Sequence, residues 1–238
     1  MGKRRGRKSF QRTPARRSVY EKILIVCEDS CTAPKYLNAY ILALGLPKTI
    51  EIIATGDSDP TPDKVVAYAL NWLENEKKSD GFGEHKTTVF CVIDRDEHAT
   101  FDQALATLRG ASENRGNDKK KITIKVFPSY PSFEVWFILH HKYTRQSFSR
   151  SGRKSPADMV VKELKTCPTF GDYNKSAANH YQLLANLLPT AITNAVRSKA
   201  DAINTGELNS STDVHLLIAY LSALKDKIED EKNKSRQA

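Results

Sequence analysis

KILIVCE at residues 22–28 and TTVFCVID at residues 87–94 are short, almost wholly apolar segments that each end on an acid. An unbroken apolar run of this length is typical of a parallel strand buried on both faces, because a strand with one wet face alternates apolar and polar residues. We therefore predict two buried parallel strands that end on carboxylates, Glu28 and Asp94.

Helical patterns separate the predicted strands. Apolar residues recur at helical spacing in residues 32–44 and 63–76, and FDQALATLR, residues 101–109, predicts a third helix. Two more strands are predicted at residues 50–54 and at ITIKVF, residues 122–127. Strands that alternate with helices predict a doubly wound α/β fold with a mainly parallel sheet, because parallel neighbours need crossover connections.

The predicted sheet domain covers residues 21–143, and a mostly helical region, residues 144–238, is predicted to pack on it. No segment of this second region has a strand pattern, and helices are predicted at residues 157–164, 177–188, 191–203 and 213–231. Ser211 or Thr212 is expected to cap the last helix, because a hydroxyl there accepts a hydrogen bond from an otherwise unpaired amide.

Basic charge is concentrated at the start of the chain. Eight of the 37 Lys and Arg residues lie within residues 1–20, which contain no acid, and the other 29 nearly balance 28 acids. We predict a disordered basic arm that attracts phosphate backbones by counterion release without reading sequence. Its candidate nucleic-acid contacts are Lys3, Arg4, Arg5, Arg7 and Lys8. A solvated tail without a ligand is the alternative.

The composition excludes several classes of protein. No apolar run approaches the roughly 20 residues of a membrane span, and the basic start is not followed by the apolar stretch of a signal peptide. The cysteines Cys27, Cys31, Cys91 and Cys167 form no C-x-x-C pair, so a zinc or dithiol site is not indicated. We expect a soluble cytoplasmic protein that makes no membrane contact.

Three carboxylates are predicted to meet at one edge of the sheet. Glu28 and Asp94 end their strands and Asp96 lies two residues further on, and ligands of parallel sheets bind just past the strands' carboxyl ends. Such clustered acids repel one another unless a cation lies between them, and Mg²⁺ or Mn²⁺ is the hard ion that carboxylates hold. The alternatives are a helix-capping role for Asp96 and a surface position for Glu28.

Other residues near the predicted edge are candidates for catalysis or phosphate binding. His98 follows the acid pair and could donate to phosphate or move a proton, and its alternative role is to cap or orient its own loop. Glu134 lies in the apolar segment PSFEVWFILHH, where an unpaired carboxylate is costly. A metal, a metal-bound water or an arginine would compensate Glu134, and a structural salt bridge is the alternative. Basic residues that could contact the nucleic-acid backbone are Arg95, Arg150, Arg153 and Lys154.

Four stretches of the chain resemble the RloB family of bacterial defence-associated proteins: ILIVCEDSCTAPKYL, VIDRDEHATFDQAL, PSYPSFEVWFILHH and NSSTDVHLLI. The resemblance runs from about Lys22 to Leu224. An acid after the first strand and a D-x-D after a later strand also resemble the Toprim fold of topoisomerases and primases. The chain departs from the family pattern at Asp29, Ala33, Tyr130 and Ser132.

The resemblance implies metal-dependent phosphodiester chemistry in which Glu28, Asp94 and Asp96 match the Toprim acids. Asp94 and Asp96 are then metal ligands, and Glu28 is either a ligand or a general acid/base acting through a water. It also implies a nuclease of antiphage defence, acting on DNA or RNA with an ABC- or AAA-type ATPase partner. Two other functions stay open: a non-catalytic nucleic-acid-binding subunit, and a phosphohydrolase or nucleotidyl transferase on small substrates.

Overall fold

The computed structural model describes residues 21–55, 61–79, 82, 86–113 and 122–237. Its elements, in chain order, are β1 (Lys22–Cys27), α1 (Thr32–Leu44), β2 (Ile50–Ala54), α2 (Pro62–Lys77), β3 (Thr87–Asp94), α3 (Phe101–Glu113), β4 (Ile122–Tyr130), α4 (Glu134–His141), α5 (Pro156–Leu164), α6 (His180–Leu184), α7 (Leu188–Thr205), β5 (Ser211–Thr212) and α8 (Val214–Gln237). Strands and helices alternate from β1 to β4, as the sequence predicted.

The sheet has the strand order β2-β1-β3-β4-β5. Strands β1 to β4 are parallel and β5 is antiparallel to β4. The α/β fold with a mostly parallel sheet and a helical C-terminal region confirms the predicted fold class, and it is consistent with a Toprim-like doubly wound fold.

Strand β1 is buried on both faces, which explains its unbroken apolar pattern. Ile23 and Ile25 belong to a core cluster that includes α1, α4 and α8, whereas Leu24 and Val26 pack in a second cluster with α2 and α3. Because side chains alternate across a strand, one apolar segment fills both layers.

The C-terminal region is part of the larger core cluster. Val214, Leu217 and Leu221 of α8 are fully buried in the cluster that also holds residues of β1 and α4. Strand β5 adds to the same sheet through Ser129↔Thr212 pairing, and the Thr212 hydroxyl accepts a hydrogen bond from the Val214 N–H at 3.2 Å. This bond confirms the expected cap at the start of the last helix.

Two sequence predictions about this region were wrong. The region does contain a strand, β5, but its two polar residues are too short a segment to show a period of two. The single helix predicted at residues 177–188 is instead the short α6 followed by a 3-10 turn over Ala185–Leu187. Pro189 explains the break, because proline lacks an N–H and favours the first turn of a new helix, here α7.

Among the described residues, no helix combines the length and the apolar character that crossing a membrane requires. The four cysteines are free, and Cys27, Cys91 and Cys167 are buried.

Replacement of Leu217 tests whether α8 belongs to the main core. Leu217 is fully buried, whereas its neighbour Leu216 is 50% exposed. Leu217→Ala should lower the free energy of unfolding by about 2–5 kcal/mol through lost burial and a cavity, and Leu216→Ala by less than about 0.5 kcal/mol. Urea unfolding measures both variants, and equal small losses would place α8 outside the cooperative core.

Candidate functional site

The carboxyl ends of the central strands β1 and β3 form the crevice in which the predicted acids lie. The chain leaves β1 toward β2 on one side and returns to β3 on the other, and open α/β sheets bind ligands at such a reversal point. The Glu28 N–H donates to the Val92 carbonyl at 3.1 Å, and Glu28 Oε2 accepts a hydrogen bond from the Asp94 N–H at 2.9 Å. Glu28, only 4% exposed, is therefore held against the main chain of Asp94.

The crevice disfavours negative charge on both acids. Burial raises the pKa of Glu28 to about 7; the Asp94 N–H opposes this shift, while Asp29 and Asp96 add to it by repulsion. Desolvation, followed by repulsion from Glu28, Glu134 and Asp29, raises the pKa of Asp94 well above the usual carboxyl range. The carboxylate of Asp94 accepts no hydrogen bond from any residue that the structure describes.

His98 contacts the second oxygen of Glu28. Its Nε2 lies 3.1 Å from Glu28 Oε1, and its side chain is 31% exposed. Both oxygens of Glu28 are thus engaged, one by the Asp94 N–H and the other by an imidazole that solvent reaches. The structure places His98 where proton exchange with Glu28 is geometrically direct.

Glu134, the first residue of α4, lies 2% exposed beside the same crevice. Its Oε2 accepts a hydrogen bond from Ser132 Oγ at 2.8 Å. Its Oε1 accepts from the Tyr173 hydroxyl at 2.9 Å and from Thr32 Oγ1 at 3.1 Å. Three hydroxyls and the N-terminal end of a helix therefore compensate the charge of Glu134, where the sequence predicted a metal, a metal-bound water or an arginine. The predicted alternative, a salt bridge, is present with Lys175 at 4.0 Å.

Sequence reasoning missed Asp29 and Lys175 as residues of this crevice. Lys175 Nζ lies 3.8 Å from Asp29 Oδ2 and 4.0 Å from Glu134 Oε1. Desolvation opposes the charge of Lys175, but Glu134, Asp29 and Asp94 outweigh it and raise its pKa. The departure from the family pattern at Asp29 was the one available signal, since Lys175 lies in an irregular loop between α5 and α6.

Asp29 also fixes the start of α1. Its two carboxylate oxygens accept hydrogen bonds from the N–H groups of Thr32 at 2.7 Å and Ala33 at 3.2 Å. The residue next to Glu28 thereby satisfies amides that the first turn of a helix leaves unpaired. This arrangement orients the loop that carries Glu28.

The Asp96 carboxylate contacts the start of α5. Its N–H donates to the Pro131 carbonyl at 2.8 Å, and its Oδ1 accepts from the Ala157 N–H at 3.3 Å. Asp96 has a φ of 22°, in a region that non-glycine residues seldom occupy. The alternative prediction was that Asp96 caps the helix that follows it, α3. Asp96 instead binds an N–H in the first turn of α5, so the predicted helix was wrong.

The predicted basic contacts lie around the crevice with different partners. The Arg95 guanidinium donates to the His98 carbonyl at 3.1 Å and lies over Phe101. Arg150 binds both oxygens of Glu97, with Nε 2.8 Å from Oε1. Arg153 and Lys154 are exposed in a tight turn over residues 151–154. The candidates of the basic arm, Lys3, Arg4, Arg5, Arg7 and Lys8, lie outside the described residues.

A divalent metal fits this crevice in part. Among the described residues, no three His, Cys, Asp or Glu side chains are grouped as a complete metal site, so the set of Glu28, Asp94 and Asp96 stays a prediction. Asp94 nevertheless offers a carboxylate without a hydrogen-bond donor beside the carboxylate of Glu28. Mg²⁺ commonly binds one or two protein carboxylates and completes its octahedron with water and phosphate oxygens.

Comparison with known proteins identifies the family. The family model described as RloB-like protein matches residues 23–221. The chain therefore belongs to the RloB-like family, which confirms the resemblance seen in the sequence. No match was found among curated proteins or among solved structures.

Asp94→Asn should stabilise the metal-free protein at about pH 8. The raised folded-state pKa of Asp94 means that the folded state favours the protonated acid, so this group's contribution to stability falls as pH rises from the unfolded pKa toward the folded pKa. The asparagine side chain of the variant cannot ionise, so the variant does not lose this stability as pH rises. Thermal unfolding should show a higher Tm for the variant at about pH 8 and a shrinking difference toward about pH 4.

Asp63→Asn provides a control of opposite sign. The pKa of Asp63 is lowered, chiefly by the hydrogen bond from the Thr100 hydroxyl, so its ionised form favours the folded state above the unfolded pKa. Asp63→Asn should leave Tm unchanged or lower it at about pH 8. Destabilisation by Asp94→Asn at that pH would contradict the charge repulsion described for the crevice.

Proposed function

We propose that the chain is a metal-dependent nuclease that hydrolyses phosphodiester bonds at the β1–β3 crevice, with Mg²⁺ or Mn²⁺ as its ion. The observation that supports it is the carboxylate of Asp94, which lacks a hydrogen-bond donor among the described residues and lies in repulsive range of Glu28, Glu134 and Asp29. A site that concentrates charge at a cost to stability is typical of function rather than of folding.

Glu28 and Asp94 would hold the ion, and Asp96 would join them only by turning away from α5. A bound divalent ion supplies charge neutralisation at the phosphate and lowers the pKa of a coordinated water. Glu134 is fixed by its three hydroxyl donors. We therefore assign Glu134 an orienting role toward water or Lys175 at the edge of the crevice.

His98 is the candidate for proton transfer. Its Nε2 is 3.1 Å from Glu28 Oε1, and the pKa of Glu28 is raised by burial to about 7. If Glu28 acts as a general acid/base through a water instead of as a ligand, a carboxyl with this raised pKa both accepts and releases protons readily, and the partly exposed imidazole connects it to solvent. Lys175, which lies near Asp29 and Glu134, adds a positive charge to the crevice, where a substrate phosphate would meet it.

The nucleic-acid substrate is supported by charge. The basic arm, Arg153 and Lys154 offer a positive surface, and the chain carries a net charge of +9. Phosphate attraction of this kind binds DNA and RNA alike. A role in antiphage defence and an ATPase partner, which the family resemblance implies, are part of the proposal.

A non-catalytic nucleic-acid-binding subunit is the second candidate. Its support is the position of Lys175, which already places a positive charge beside Asp29 and Glu134, together with the lack of a complete three-residue metal group among the described residues. In such a protein the lysine would neutralise the acids permanently.

Cleavage assays separate these candidates. With Mg²⁺ or Mn²⁺, the full-length protein should degrade at least one member of a panel of plasmid, single-stranded DNA and tRNA, alone or with its ATPase. Asp94→Ala should lower the rate at least about 100-fold, a typical loss when an electrostatic catalytic group is removed. Asp230→Ala, the same change on the exposed end of α8, should leave the rate unchanged. Binding without cleavage under every condition would favour the second candidate.

Deletion of residues 1–20 tests the basic arm. Those residues hold eight basic side chains and no acid, so the shortened chain should bind all nucleic-acid sequences more weakly. The slope of log affinity against log salt should flatten, because fewer counterions are released on binding. Fluorescence anisotropy over a salt series measures both effects, and an unchanged slope would remove the arm from the interface.

A further inference from the structure

A cavity of about 310 Å³ adjoins the carboxylate crevice. It lies past the end of β4, between the start of α3 and the turn that joins α7 to β5. Its lining includes Arg95, Asp96, Phe101, Asp102 and Tyr130. Small-molecule sites span roughly 300–1,000 Å³, so this cavity suits one small group rather than a stretch of polymer.

Aromatic and guanidinium groups form part of this cavity. The Arg95 guanidinium lies 5.1 Å from the centroid of the Phe101 ring. Phe101 meets Tyr130 edge to face, with centroids 5.6 Å apart and an interplanar angle of 73°. Phe101 is only 1% exposed, so the stacking surface of the cavity is the Arg95 guanidinium, whose side chain is 38% exposed. Nucleobases stack on guanidinium planes, and this stacking accepts any base.

Carboxylates supply the hydrogen-bond acceptors of the cavity beside the Arg95 guanidinium. The Asp102 side chain is 81% exposed, and its Oδ2 lies 3.8 Å from a terminal nitrogen of Arg95. Asp96 adds a second carboxylate. The amide of Asn209 is occupied on both sides by the main chain of Phe148, at 2.8 and 3.1 Å. Carboxylates accept hydrogen bonds from ring N–H and amino groups, which guanine presents side by side and uracil does not.

The Tyr130 hydroxyl is available to a ligand. Tyr130 is 8% exposed, and its hydroxyl makes no hydrogen bond with any of the residues described by the structure. The hydroxyl oxygen is not among the fully buried polar atoms that lack a partner in the described residues, so solvent reaches it. A ligand in the cavity would replace that solvent, because Tyr130 is part of the lining.

We propose that this cavity binds a single nucleobase, with preference for guanine, next to the phosphate that the carboxylate crevice engages. The inference rests on the proposed function, since Asp96 and Arg95 join the two sites. A base can enter only when it is unstacked, so the substrate is single-stranded or has an extruded nucleotide. The target is therefore a loop, an end or a single strand rather than an intact duplex.

Nucleotide binding tests the cavity without any cleavage assay. The probes are GMP and UMP, titrated into the full-length protein and followed by calorimetry. Both carry the same phosphate, so their difference in affinity reports the base alone. GMP should bind about tenfold more tightly, the effect expected of one added hydrogen bond to a charged group.

Asp102→Asn should remove most of this preference by lowering the affinity for GMP about tenfold while leaving UMP nearly unchanged. Asp102 is exposed at the start of α3, so the fold should tolerate the change. Glu113→Gln makes the matching change at the other, exposed end of the same helix and should alter neither affinity.

Equal binding of the two nucleotides, no binding of either, or an unaltered GMP affinity in Asp102→Asn would overturn the base pocket. Its failure differs from failure of the nuclease proposal. If the protein cleaves with metal, loses cleavage in Asp94→Ala and shows no preference for GMP, the nuclease proposal stands and the base pocket is refuted. Selective GMP binding by a protein that cuts no nucleic acid retains the pocket and removes the nuclease.

Discussion

Repulsion between Glu28 and Asp94 is the constraint around which the crevice is organised. Each acid lies at the end of a central strand, the two strands are neighbours, and the Asp94 N–H donates to Glu28 Oε2. Two buried like charges are unfavourable, so the surrounding core must hold them in place. The unbroken apolar segments supply that hold, because Ile23–Cys27 are fully buried and pack into both layers.

The rest of the crevice divides its charges between fixed and available groups. Glu134 is bound by three hydroxyls, and Asp29 is bound by two amides of α1. Asp94 has no such donor among the described residues. Lys175 Nζ lies 3.8 Å from Asp29 and 4.0 Å from Glu134, the two acids that already accept these hydrogen bonds. Asp94 is left as the group with most to gain from an added cation or a protonated ligand.

The sequence predicted the strands and the acids that end them, because apolar runs and their boundaries are local properties. It did not predict β5, whose two residues gain their position from β4 and not from their own pattern. Lys175 and Tyr173 were missed for the same reason: they lie in an irregular loop, and only tertiary packing brings them to Glu134. The target of Asp96 was also unpredictable, because Ala157 is 61 residues away in the chain.

That contact makes the helical region part of the site rather than an appendage. The Ala157 N–H fixes one oxygen of Asp96, and Arg150, just before α5, binds Glu97 in the same loop. A residue held at a φ of 22° is stable only while such contacts persist.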